Sequence, residues 1–152
     1  MEIIIKKGKN RNTLICRRKD GTQTSVNLDK DIPNHDLAHY VVEKQFKLKK
    51  GFYGKIRLGM TIEELSDKEV IRSLDAETWL SEIMARNLQS ISSGAVKVEE
   101  FIVLVNMEAE NNKSIELPEM NIEDVKKMKH QFEELCEEWS MIPESGALEL
   151  IF

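Results

Sequence analysis

Apolar and polar residues alternate at the start of the chain, with Ile3 and Ile5 in residues 2–7, Leu14 and Cys16 in 12–18, and Val26 and Leu28 in 22–28. A period of two sends successive side chains to opposite faces of a strand, so three strands are expected. Gly8-Lys9-Asn10 separates the first two and Asp20-Gly21 the next two. Glycine takes the positive φ of a tight hairpin without steric cost, so the three strands read as a meander. Leu148, Leu150 and Phe152 repeat the alternation at the end of the chain, and this segment is placed back in the N-terminal sheet.

Between these ends the period lengthens to that of a helix. Pro33 suits a first helical turn, where its missing N–H costs nothing, with Asp31 or Asn34 as the expected N-cap. This helix is predicted to run to about residue 49, closed by Gly51-Phe52 as a left-handed C-cap with its hydrophobic contact. Thr61…Glu64 and Ser66…Glu69 have capping-box spacing, which predicts one or two short helices. Over residues 75–92, Ala76, Trp79, Leu80, Ile83, Met84, Leu88 and Ile91 form a stripe expected to face the core, with Gly94 beyond its end. The run Phe101 to Val105 has no period of its own, and residues 98–110 are read as helix. From Asn121, the stripe Ile122, Val125, Met128, Phe132, Leu135, Trp139 and Ile142 predicts a long amphipathic helix stopped by Pro143. Residues 110–119 are the most loop-like. The pattern implies an α+β fold in which a small antiparallel sheet, three N-terminal strands plus the C-terminal one, is covered by several helices in a single domain over residues 1–152.

Composition narrows the functional classes. No apolar run approaches the ~20 residues needed to cross a bilayer, so the reading is a cytoplasmic chain with no membrane partner. Cys16 and Cys136 lie in different elements and form no C-x-x-C pair, which favours two free thiols over a disulfide framework or a cysteine zinc site. The net charge of −5 conceals a division, since residues 1–60 carry a balance of +8 and residues 61–152 one of −13. Such asymmetry suits an interaction module whose basic N-terminal part binds an acidic protein or a second copy of itself. Nucleic acid is an unlikely partner, because the remaining carboxylates would repel phosphates across a Debye length of ~8–10 Å. Gly51, Gly54 and Gly59 do not make a phosphate-binding loop, as no Gly-Lys-Ser/Thr follows.

Candidate chemistry gathers on the first helix, which reads His35-Asp36-Leu37-Ala38-His39-Tyr40-Val41-Val42-Glu43. At 100° per residue His35, His39 and Glu43 share one side, at the border of the apolar stripe. The H-D-x-x-H spacing resembles the H-E-x-x-H of zinc metalloproteases, where two histidines one turn apart bind zinc and the glutamate activates water. Asp36 is one methylene shorter than that glutamate. Glu43 lies ~12 Å along the axis from His35, so a third ligand must come from elsewhere. The His35-Asp36 pair also resembles the HD phosphohydrolases, but these need a further upstream histidine and none precedes residue 35. The plain alternative is a pair of helix-face histidines with Asp36 complementing the positive helix N-terminus and Tyr40 packing on the sheet edge. His130 is read as a solvated residue.

Residues 33–43, the Gly51-Phe52-Tyr53-Gly54 segment and the closing Leu148-Glu149-Leu150 together resemble a group of small bacterial proteins that share a helix of the type P-H-D-L-x-H-Y-V-V-E. Asn34 adds one residue between the proline and His35. The resemblance implies a bacterial intracellular origin and carries no activity. Whether the chain is an enzyme stays open at this point. The two readings are a divalent-metal site, zinc first, drawing on His35, Asp36, His39 and Glu43, and a metal-free interaction module.

Overall fold

The structure, a computed structural model, describes residues 1–67, 69–70, 73–110 and 115–152. Strands β1 (Glu2–Lys6), β2 (Asn12–Arg17), β3 (Gln23–Leu28) and β4 (Ala147–Ile151) form one antiparallel sheet in the order β3-β2-β1-β4. The expected α+β architecture, with the C-terminal strand in the N-terminal sheet, is therefore present, and that strand lies beside the first. Register explains the alternation: Ile5 is paired with Leu14 and Leu148, and Ile3 with Cys16 and Leu150. Leu14 in turn pairs with Val26 and Cys16 with Thr24, so two continuous rows cross the sheet on its buried face. Glu2, Lys6, Arg17 and Glu149 occupy the exposed face. Gly21, at φ 86°, makes the β2–β3 turn that its Asp-Gly sequence predicts.

Among the described residues six helices lie between the meander and β4: α1 (Asn34–Phe46), α2 (Phe52–Arg57), α3 (Ile62–Ser66), α4 (Ala76–Ser92), α5 (Phe101–Glu110, entered through a 3-10 turn at Val98–Glu100) and α6 (Ile122–Met141). Residues 98–110 are thus helical, as read. Thr61 and Asn121 cap α3 and α6 with reciprocal side-chain bonds to Glu64 and Asp124. The second short helix expected at Ser66…Glu69 falls partly outside the described residues, and residues 111–114 of the expected loop lie outside them altogether. Leu37, Ala38, Val41 and Val42 of α1 are fully buried in the core that also takes Ile3, Ile5 and Leu14, and Tyr40 reaches the edge strand, donating to the Ile151 carbonyl at 3.3 Å.

Both ends of α1 differ from expectation. Pro33 itself occupies the N-cap position with no side-chain cap, and neither Asp31 nor Asn34 serves there. The loop before it is held instead by buried Asn12, whose Nδ2 donates to the carbonyls of Asp29, Lys30 and Asp31 at 2.9–3.1 Å. At the other end the helix stops at Phe46, and Lys47, at φ 55°, is the left-handed cap. Gly51 has φ −67° and starts α2. Its lack of a side chain is a matter of space, because a Cβ there would sit 2.4 Å from Cδ of Glu43.

Candidate metal centre

Helix α1 presents His35, His39 and Glu43 at successive i, i+4 positions, and α4 lies alongside it with Ser81, Glu82 and Gln89 facing them. The contacts run in opposite order, His35 with Gln89 and Glu43 with Ser81, so the helices are antiparallel. Nε2 of His39 lies 3.1 Å from Nε2 of His35 and 3.1 Å from Oε2 of Glu82, and His35 Nε2 to Glu82 Oε2 is 3.2 Å. Three ligand atoms thus form a nearly equilateral triangle. Among the described residues this is the group of His, Cys, Asp and Glu side chains that could hold a metal ion.

The outer edges of the imidazoles are held as well. Ser81 Oγ is 2.8 Å from Glu43 Oε1 and 2.8 Å from His39 Nδ1. An ionised carboxylate only accepts, so the hydroxyl proton points to Glu43 and the serine oxygen accepts from His39 Nδ1–H. Gln89 Oε1, 3.2 Å from His35 Nδ1, accepts there in the same way. Both Nε2 atoms are left to face the Glu82 carboxylate. Three such atoms at contact distance need a shared cation, either protons or a metal.

Charge is distributed accordingly. Burial alone would lower the basicity of His39, but Glu43 and Glu82 overcome it and hold the imidazole pKa at about 9. Bonds from His35 and His39 hold the Glu82 carboxyl far below the usual carboxylate range. Glu43, 1% exposed, accepts from the backbone N–H of Gly54 at 3.0 Å and of Tyr53 at 3.3 Å, at the start of α2. The glycine at position 51 leaves room for this carboxylate.

Of the four residues singled out from sequence, the structure brings His35 and His39 together at the triangle and places the other two elsewhere. Glu43 faces Nδ1 of His39 at 3.6 Å, the opposite edge of the ring from the triangle. Asp36 is partly buried, with burial raising its carboxyl pKa, and lies outside the group of convergent ligands. His130 is exposed. Sequence reasoning passed over Glu82, Ser81 and Gln89, all on α4. The available signal was the polar stripe Thr78, Glu82, Arg86 and Gln89 along the border of that helix's apolar face.

A pocket of about 410 Å³ opens beside the triangle, lined by His39, Glu82 and Arg86 together with Phe52, Leu65, Leu74, Thr78 and Trp79. Trp79, expected in the core, is instead only partly buried and forms a pocket wall. Phe52 packs against His39 with ring centroids 5.3 Å apart.

Several of the basic N-terminal residues make contacts within the chain. Lys7 Nζ caps the end of α6 on the carbonyls of Trp139 and Ile142, and Arg18 binds the carbonyls of Ile56 and Met60. Lys44 donates to Ile151, Arg17 pairs with Glu2 and Lys55 with Asp75. No described helix is long and apolar enough to cross a membrane. Comparison with protein-family models, with curated proteins and with solved structures finds no match for this chain.

Proposed function

We propose that this protein binds a divalent metal ion, zinc first, through His35 and His39 of α1 and Glu82 of α4, and uses it for metal-assisted hydrolysis in the adjoining pocket. The triangle of ligand atoms carries the reading. Bonds of about 2.0–2.1 Å place ligand atoms about 3.3 Å apart around a tetrahedral ion and about 2.9 Å apart around an octahedral one. The observed edges of 3.1–3.2 Å fall between these values. Two imidazoles and a carboxylate suit zinc among the common divalent ions, and three protein ligands with one side free are the pattern of a catalytic rather than a structural zinc site.

The residues around the triangle support the same reading. A ligating histidine donates its other ring N–H to an acceptor that fixes tautomer and orientation, and His39 has such a partner in Ser81. Glu43 holds Ser81, so it acts as a positioning residue rather than as a ligand. Asp36 has no ligand role in this arrangement. An ion here would supply a Lewis acid at the pocket wall, beside an apolar lining that strengthens its field.

Elemental analysis of protein purified without a histidine tag tests the proposal. One equivalent of zinc, or its uptake after chelation, is expected for the native chain, with strong loss in His35→Ala, His39→Ala and Glu82→Gln. A folded native chain that takes up no divalent ion, and whose zinc affinity is unaltered by these substitutions, would leave the metal reading without support.

A further inference from the structure

Four apolar side chains, Phe52, Leu65, Leu74 and Trp79, line the pocket beside His39 and Glu82, while Arg86 stands at the polar wall one helical turn after Glu82. This division restricts what can bind. A ligand polar along its whole length would lose its hydration against the apolar walls with nothing in return, whereas a purely apolar one would leave the polar wall unpaired. The pocket volume of about 410 Å³ is within the range of small-molecule sites. Trp79 adds a second indication, since a large aromatic side chain left partly exposed in a concave wall is a ready apolar contact for a ligand.

Glu82 and Glu108 offset Arg86 in the metal-free chain, and a divalent ion on the triangle would give the polar wall a positive balance. Arg86 lies 3.5 Å from Glu82 through Nε and 3.0 Å from Glu108 through Nη2, so both carboxylates anchor a guanidinium that still has donors to spare. With a divalent ion on the triangle, the wall would carry two cationic groups facing one apolar chamber. We infer that the pocket binds carboxylic acids with an apolar body, the carboxylate lying toward the metal and Arg86 and the hydrocarbon among Phe52, Leu65, Leu74 and Trp79. This inference rests on the metal reading and names the class of ligand that the same site takes.

Calorimetric titration of zinc-loaded protein with straight-chain carboxylates from acetate to octanoate, and with alcohols of equal length, tests it. Each methylene entering the pocket should raise affinity about fourfold, the equivalent of ~0.8 kcal/mol, until the chamber is filled. Carboxylates should exceed the matching alcohols by about tenfold, as charge-assisted bonds exceed neutral ones. Trp79→Ala should flatten the dependence on chain length, and Arg86→Gln should narrow the gap between acids and alcohols. The native series alone is decisive should either variant fold poorly. Stoichiometric zinc with affinities independent of chain length, or with alcohols equal to acids, overturns the inference and leaves the metal reading intact. Failure to load zinc at all overturns both.

Discussion

The sheet-facing side of α1 and its α4-facing side are built on opposite principles. In the core shared with the sheet, Leu37, Val41 and Val42 of α1 join Ile3, Ile5 and Leu14, all fully buried and apolar. Each such side chain contributes about 1.5–3 kcal/mol by leaving water, whatever its exact neighbour. Toward α4, His39, Glu43 and Ser81 are equally buried, but burial costs each of them its hydration and only a complete set of partners offsets the loss. The first side tolerates exchange of one apolar group for another. The second works only as a whole, which suits a site rather than a source of stability.

The largest effect should come from the apolar side. Deleting residues 148–152 removes Leu148 and Leu150 from the core and the partner strand of β1, and it also takes away the Phe152 carbonyl that accepts from the N-terminus. A loss of several kcal/mol is expected, at least the ~3–6 kcal/mol of two buried leucines. Denaturant unfolding checks it, and an unchanged midpoint would mean that β4 contributes little to the core.

On the polar side, Glu43→Ala should approach that cost through a different cause. It strands Ser81 and the N–H groups of Tyr53 and Gly54, and it removes one of the two carboxylates that face His39. Breaking one member of a buried charged set costs about 3–5 kcal/mol. Glu43→Gln keeps the shape and should cost less. A Glu43→Gln variant as stable as the native chain would reduce Glu43 to a space-filling role and blur the contrast between the two sides of α1.

These two sides were not equally legible in the sequence. Alternation in residues 2–28 and 148–152 was enough for the sheet, because a period of two dictates a face whatever lies on it. The stripe of α6 was as clear, and Val125, Met128, Phe132, Leu135 and Trp139 are all buried. The polar side was half visible. His35 and His39 could be placed on one face from their spacing, but Glu82 lies 43 residues beyond His39, and periodicity says nothing about which helices pack together. Trp79 was misplaced for a related reason: an apolar stripe marks a buried face and does not distinguish a filled core from a pocket wall. Gly51 misled in another way, since a glycine kept for space beside Glu43 looks, in sequence, like one kept for positive φ.

The polar side should also respond to pH, which the apolar side cannot do. In the folded, metal-free chain the His39 pKa is raised from 6.5 to about 9 by Glu43 and Glu82 against the opposing effect of burial. A raised pKa stabilises the fold fully below the unfolded value, so this contribution is present below about pH 6.5 and fades as pH rises through 9. Its size is on the order of 3 kcal/mol. Urea unfolding with a chelator at pH 6 and pH 9.5 should show the loss, and His39→Gln should abolish the difference. Metal affinity should run the other way, rising with pH as the proton leaves the site. A metal-free stability that is flat over this range would mean that His39 is not held as a cation.

The smallest of these effects separates a site from a merely satisfied polar seam. Ser81 touches no atom of the triangle; it links His39 Nδ1 to Glu43, each at 2.8 Å. Ser81→Ala leaves all three proposed ligands in place and removes only the group that fixes the tautomer of one of them. If the seam is structural, the variant should lose about 1–3 kcal/mol of stability, the cost of unpaired buried groups, with no effect on metal. If the triangle binds a metal, zinc affinity should also fall by 10- to 100-fold, the usual penalty for removing the partner behind a ligating histidine. Competition against a chromophoric chelator reads the affinity, and unfolding of the metal-free protein reads the stability. Ser81→Thr, which keeps the hydroxyl, should restore most of the affinity even where its extra methyl lowers stability. Restoration of neither quantity by threonine would assign the loss to packing and weaken the positioning role given to Ser81 and Glu43.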